Sequence, residues 1–388
     1  MTAVLSSFPD PRPTTNPYIV QLARALSRTE GITFSTFSWR TALTRRVDVF
    51  HAHWPEILVG GRTGPKKLAR QALFAAMVLR FRLQGTAIVR TVHNLHLPEG
   101  ISPVERALLT WFDRWTTHRV ILNESTRLPE DQPRSLVLHG HYRDWFAGLP
   151  RRETVPGRLA FVGMIRRYKG TETLVEAFRE LTDPGLSLSV SGKPSNEELA
   201  ADLHEVAGED PRVRFRFAFV DDAELVTAVT EAELVVLPYR HMHNSGGVLT
   251  ALSLDRPVLV PDNEVNRRLA EEVGPGWVHL FEGELDAAAL RRALDAVRAD
   301  GPARRRARPD LSRREWAAAG SEHAAAYRRA LATAPRGGAA VRRDATTGRQ
   351  KATTGRQEAT DDGLAAALCD EADTTVTLRQ PTAPGGPR

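Results

Sequence analysis

The chain has 388 residues, 41% of them apolar and 26% charged, a net charge of +6 and one cysteine, Cys369, so a disulfide framework or cysteine metal site is excluded and a reducing cytoplasm is expected. Its longest apolar run is the eight residues 72–79, far short of a membrane span, and residues 1–5 are too short and lack the basic flank of a secretory signal. The charge is uneven: residues 1–150 carry 19 Lys and Arg against 11 Asp and Glu, while residues 151–336 carry 27 against 29. A basic first half points to an anionic partner there, whether nucleic acid, a membrane surface or a phosphorylated acceptor.

Along the chain, short apolar runs read as strands at residues 3–6, 32–37, 47–51, 87–92, 120–122 and 136–139, with helical patterns between them, notably at 17–27 and 65–83. Residues 149–157, with two prolines and mixed charges, read as a linker. The alternation then restarts, with strands at 159–162, 186–191, 213–217, 234–237, 258–260 and 278–281. Between the first two of these, Leu174, Ala177, Phe178 and Leu181 recur at helical spacing. The α/β pattern therefore implies two doubly wound, Rossmann-like domains with parallel sheets, at 1–150 and 151–312. A last helix is expected at 313–333. Residues 334–388, with a tandem seven-residue repeat in polar sequence (345–351 and 352–358), read as a disordered tail.

Two segments carry the strongest chemical signal. Gly163-Met164-Ile165-Arg166-Arg167-Tyr168-Lys169-Gly170 and Asn244-Ser245-Gly246-Gly247 each follow a strand and precede a helical pattern. Unpaired N–H groups at a helix start, aided by the helix dipole, bind anions. Arg166, Arg167 and Lys169 add positive charge, so a diphosphate held between the two segments is the natural reading; a solvated basic loop is the plainer one. Asn and Ser also serve as ordinary caps, but a glycine inside a helix costs about 1 kcal/mol relative to alanine, and close approach of a ligand explains two in succession.

In the first half, His93 stands at the carboxyl end of a strand, where open α/β sheets bind ligands. His51, His53, Trp54 and Glu56 surround another strand end. Two histidines and a carboxylate suggest a metal, yet His51 and His53 lack a third ligand at suitable spacing, and an acceptor-facing loop with Trp54 stacking on a sugar and Glu56 bonding its hydroxyls fits better. Asp10, Asn16, Glu99, His139 and His141 are also at strand ends. Residues 65–83 have basic ends around an apolar middle, which suits either contact with anionic lipid or burial against the sheet.

The two tandem domains and the Gly163–Lys169-Gly170 segment resemble the GT-B glycosyltransferases, both the large retaining group and bacterial exopolysaccharide mannosyltransferases that build lipid-linked glycans. Further matching pieces are Asp48-Val49-Phe50-His51-Ala52-His53-Trp54-Pro55-Glu56, Thr91-Val92-His93-Asn94, Ala232-Glu233-Leu234-Val235-Val236-Leu237-Pro238-Tyr239-Arg240 and Ala251-Leu252-Ser253-Leu254-Asp255-Arg256-Pro257-Val258. The similarity spans roughly residues 3–331. It departs from the retaining group at Met164, where arginine is usual, and at Met242 and Thr250, where that group has two glutamates.

The resemblance implies a GT-B fold and transfer from a nucleotide-diphosphate sugar (GDP- or UDP-linked) to a glycan or lipid-linked saccharide. It implies no metal and no cofactor beyond the nucleotide sugar as co-substrate, and no nucleic acid. His93 would contact the donor sugar, with Arg166 and Lys169 at the leaving diphosphate. Gly163, Arg167, Asn244, Ser245, Gly246 and Gly247 would bind the donor, and Asp10, Asn16, His53, Trp54 and Glu56 the acceptor. An inverting reaction would need a carboxylate base, with Asp10, Glu56 and Glu99 as candidates, whereas a retaining one would not. The last helix would cross back to brace the first domain, and the location would be cytoplasmic, at the inner face of a membrane if residues 65–83 touch lipid. A nucleotide-sugar epimerase of the same architecture and a non-catalytic nucleic-acid-binding protein are the rival readings.

Overall fold

The computed structural model describes residues 1–12, 15–61, 64–94, 97–98, 100–240, 242–300 and 307–334. Glu99, Cys369 and the repeat-bearing tail from residue 335 onward lie outside the described residues.

The described residues form two parallel sheets of six strands with helices around them. The first contains β1 (Thr2–Ser6), β2 (Ile32–Ser35), β3 (Val49–Ala52), β4 (Ala87–Val92), β5 (His118–Ile121) and β6 (Arg134–Leu136), in the order β2-β1-β3-β4-β5-β6. The second contains β7 (Arg158–Val162), β8 (Ser187–Ser191), β9 (Val213–Arg216), β10 (Leu234–Val236), β11 (Val258–Pro261) and β12 (Val278–Phe281), in the order β12-β11-β10-β7-β8-β9. Helices cover both faces, which is why central strands such as β3 are buried at every residue and show no apolar–polar alternation. This is the GT-B architecture of two Rossmann-like domains.

Strand order reverses between β1 and β3 in the first sheet and between β7 and β10 in the second. Ligands of open α/β sheets bind outside the carboxyl ends of strands at such switch points. The loops there are 7–16 and 53–56 in the first sheet, and 163–170 and 237–245 in the second. Asp10, Asn16, His53, Trp54, Glu56, Gly163, Arg166, Arg167, Lys169, Asn244 and Ser245 fall within them, and His93, Gly246 and Gly247 lie immediately alongside strand ends or these loops.

The final helix, Trp316–Thr333, packs on the helix Pro17–Arg28 and on β4, β5 and β6 of the first sheet. Its Tyr327 is buried, and the hydroxyl lies 2.8 Å from Nδ1 of His51. Near the linker, Asp255 receives Arg143 at 3.4 Å and Arg151 at 2.8 Å, tying the first sheet's last loop and the linker to the second half.

Candidate active site

The second sheet supplies a side with a buried lysine and a helix start. After β7 the chain makes the short 3-10 turn Arg167–Lys169 and reaches Gly170 at φ 65°. A Cβ on Gly170 would lie 2.4 Å from the Pro238 carbonyl, so glycine lets the loops after β7 and β10 touch. Lys169 is thereby buried, its ammonium 4.9 Å from the centre of the Tyr239 ring. A cation over an aromatic face is attracted by the negative face of the ring. After β10, Ser245 caps the helix Gly246–Ser253 by accepting from the Val248 amide at 3.3 Å.

The first sheet supplies a wall of neutral rings. His93 is half-buried at the end of β4. It stacks on Trp54 with ring centres 3.9 Å apart and planes 15° from parallel. Its Nε2 lies 3.1 Å from Nδ1 of His53. Tyr18 meets His93 edge-on at 5.5 Å and His139 at 4.6 Å. Below, His51 Nε2 pairs with the Thr91 hydroxyl at 2.8 Å. Burial pushes His51, His53 and His93 well below the ordinary histidine range, with neighbouring histidines adding to the effect and Arg90 also acting on His93. Burial likewise pushes His139 and His323 down to about 4. These rings are neutral at pH 7.

Asn244 joins the two walls. Its Nδ2 donates to the His93 carbonyl at 3.2 Å, and its Oδ1 accepts from Asn123 Nδ2 at 2.7 Å. Next to it, His243 accepts from Asn123 through its carbonyl at 3.2 Å and lies 3.0 Å from the Thr126 hydroxyl. Beside this bridge is a cavity of about 640 Å³, lined by residues from both halves that include Asn123, Glu124, His139, Ser245 and Arg268. Arg268 and Glu124 close one side across the two halves at 2.8 Å. Arg314 and the Glu272 carboxylate, both buried, form a two-point pair at 2.7 and 2.8 Å on another.

Several expectations change. Trp54 is 4% exposed and His93 covers one face of its ring, so Trp54 supports His93 and does not offer a free platform to a sugar in this conformation. Arg167 turns outward to Asp202 at 2.7 Å and Glu172 at 3.3 Å, and the structure does not bring it to the cleft as a donor ligand. A Cβ on Gly247 would lie 3.3 Å from both Leu237 and the Tyr239 hydroxyl, so packing inside the second half explains this glycine without a ligand. Asn16 uses Oδ1 to cap the helix at Tyr18, leaving Nδ2 buried and without a partner among the described residues. Asp10 is exposed and accepts from the Thr36 hydroxyl. Glu56 opens the helix Glu56–Val59 and is half-buried. Arg166 stays in the loop after β7, bonded to the Ile165 carbonyl at 2.9 Å, and Gly163 ends β7 by bonding to Ser191. Among the described residues no group of three His, Cys, Asp or Glu is placed to hold a metal.

Asn123, Thr126 and His243 escaped the sequence reading. Asn123 sits just past a strand end, the signal that selected His93, but its partners are about 120 residues away in sequence, and only folding shows them.

With this geometry in place, likeness to known proteins becomes decisive. A GDP-mannose:glycolipid 4-beta-D-mannosyltransferase from Xanthomonas campestris pv. campestris is 46% identical over 331 residues, covering 84% of this chain and 92% of the relative. The chain belongs to the GT-B glycosyltransferases. A second relative of the same name and pathovar is 45% identical over 331 residues, with the same coverage. The family model described as "Glycosyl transferases group 1" matches residues 156–300 of this glycosyltransferase, the half that holds Lys169 and the helix start at Gly246. Among solved structures, the catalytic domain of Arabidopsis thaliana starch synthase IV bound to ADP and acarbose superposes with a TM-score of 0.57 at 10% identity, covering 85% of this chain and 99% of that one. Anabaena HepE with UDP and glucose gives 0.52 at 14% identity, covering 86% and 97%. These structures share the glycosyltransferase's fold.

Proposed function

We propose that this glycosyltransferase moves mannose from GDP-mannose to the sugar of a glycolipid, with inversion at the anomeric carbon and without a metal ion or cofactor. The observation that carries the reading is the Asn244 bridge: it sets the helix start beside His93, so a phosphate at one lies next to a sugar at the other. The relatives named above supply donor and acceptor class. In GDP-mannose the sugar is α-linked to the diphosphate, so a β-mannoside product requires inversion.

The chemistry follows from the two walls. A carboxylate, Asp10 or Glu56, takes the proton of the attacking acceptor hydroxyl, and the hydroxyl oxygen forms the new bond to the anomeric carbon. The bond from that carbon to the phosphate oxygen breaks, and its electrons go to the departing GDP. Lys169, Arg166 and the amides of the helix start neutralise that charge. The rings of this wall are themselves neutral, and closing the cleft keeps water from the donor.

The acceptor class gives the helix Gly64–Gln84 a place. Its inner face buries Phe74, Met77, Val78 and Phe81 against the first sheet's core. Its outer face exposes Leu68, Ala72, Ala76, Leu79 and Leu83 at helical spacing, and Val104 is exposed on the helix Pro103–Arg114, which packs beside it. Lys66, Lys67, Arg70, Arg80 and Arg82 lie along the same segment. No helix among the described residues is long and apolar enough to cross a membrane. An apolar stripe among basic residues suits peripheral contact with anionic lipid at the inner face of the membrane. The double substitution Leu79→Glu and Leu83→Glu should abolish flotation with anionic vesicles while GDP-mannose binding persists.

A thermal-shift comparison of nucleotide sugars tests the donor, since a ligand that binds only the folded state raises its melting temperature. GDP-mannose should raise it, and a shift with UDP-sugars but none with GDP-mannose would refute the donor. An α-mannoside product in NMR would refute inversion.

A further inference from the structure

The His53–His93 pair fixes which nitrogen of His93 faces the cleft. A neutral imidazole carries one N–H, so at the 3.1 Å contact between His53 Nδ1 and His93 Nε2 one ring donates and the other accepts. The other nitrogen of His53, Nε2, is buried and has no hydrogen-bond partner among the described residues. A sealed N–H without an acceptor is rarer and costlier than an unmatched lone pair. The hydrogen of His53 therefore sits on Nδ1 and is donated to His93 Nε2. His93 then carries its own hydrogen on Nδ1, which has no partner among the described residues and is not among the sealed nitrogens.

The ring is also held in orientation. Trp54 lies flat against it and Tyr18 meets it edge-on at 88°. The groups that face it are His53, His51, His139 and Arg90, and none is an anion. Across the cleft Asn244 holds its carbonyl.

We propose that His53 is a positioning residue that sets the tautomer of His93, so that His93 meets the donor as a neutral N–H donor at Nδ1 and not as the general base. The oxygen that receives this hydrogen is a hydroxyl of the donor sugar. This rests on the reading above that the sugar lies between His93 and the helix start. It also leaves the acceptor's proton to a carboxylate.

Nitrogen-15 NMR of the histidine-labelled enzyme tests the tautomer without any substrate. His93 Nε2 should resonate as an unprotonated nitrogen and Nδ1 as a protonated one, unchanged from pH 6 to 8; the reverse pattern, or titration in that range, overturns the proposal. Two nearly isosteric variants test its use. The amide of His53→Asn can still donate to His93 Nε2 and should keep kcat within about threefold, whereas His53→Asp can only accept, forces the opposite tautomer and should lower kcat by about a hundredfold. Equal activity of the two variants, with the tautomer reversed in the Asp form, also overturns it. Should the Asp variant not fold, His53→Leu removes the donated hydrogen without adding charge, and kcat equal to that of the Asn variant counts against the proposal in the same way. If the tautomer is as stated and calorimetry shows GDP-mannose bound, but the His93 signals do not respond to it, the placement of the sugar fails and the tautomer assignment stands.

Discussion

The two strand-end walls of the cleft solve opposite electrostatic problems. The first sheet presents His51, His53, His93 and His139 packed with Tyr18 and Trp54, all neutral because burial disfavours their charged forms. The second presents a buried lysine under Tyr239 and the start of a helix. One wall is built to carry no charge and the other to receive it. In the proposed reaction a leaving diphosphate is drawn to one side while the sugar stays against rings that do not compete for it.

The largest expected effect comes from removing charge on the second wall. Lys169→Met keeps much of the side chain's volume and should lower kcat/KM by about 10²–10³, or about 2.7–4 kcal/mol, as for loss of one preorganised group at a developing charge. Steady-state kinetics with GDP-mannose checks this. A loss under threefold would remove the lysine from the transition state and break the contrast between the walls.

The first wall is best probed by acid. His139 and His323 have folded values near 4, below the ordinary value near 6.5. Above pH 6.5 both folded and unfolded chains leave these rings neutral, so they add no pH dependence. As pH falls through 6.5 the unfolded chain takes up protons that the folded chain refuses, and stability drops until the folded rings protonate near 4. Each should cost about 2 kcal/mol at pH 5 relative to pH 7, and His51, His53 and His93 act in the same direction. Urea unfolding at pH 7 and pH 5 measures the loss, and replacing His323 with glutamine should reduce it. Equal stability at the two pH values would mean the rings are not held neutral.

Between the walls, Asn244→Ala removes both the bond to the His93 carbonyl and the one to Asn123. Each such bond contributes about 1 kcal/mol, so the two halves should separate more readily. Small-angle scattering should show a larger radius of gyration without donor, with a difference that shrinks when GDP-mannose is bound.

The sequence reading located the twelve strands of the described residues and the two loops that follow β7 and β10, because strand ends and helix starts are local features of spacing. The wall of rings was only half legible. His53 and His93 were picked out separately, one from each strand end, yet their hydrogen bond joins residues 40 apart in sequence. Trp54 looked like a sugar platform because a loop tryptophan beside histidines fits one, and the stack with His93 depends on β3 and β4 being neighbours. Direction within a loop was the least readable property of all. Arg166 and Arg167 are adjacent and equally basic, and only the carboxylates of the helix Glu197–Ala207, with Glu172, draw one of them outward.

That last distinction gives the smallest expected effect and the sharpest test of the second wall. Arg167 is exposed and shared among Glu172, Glu198 and Asp202, and surface ion pairs of this kind are screened by water and salt and contribute little. Arg167→Ala should therefore change donor affinity by less than about twofold. Arg166→Ala acts on a guanidinium bonded to backbone carbonyls beside the cleft, at Ile165 and Lys193, and should weaken the donor by about tenfold, as expected for one charge-assisted bond to phosphate. Calorimetry on the two variants side by side decides it. Equal losses would mean that the loop turns when the donor binds, so that the cation-bearing wall is assembled by its ligand; unequal losses in the stated order would mean that it is already formed.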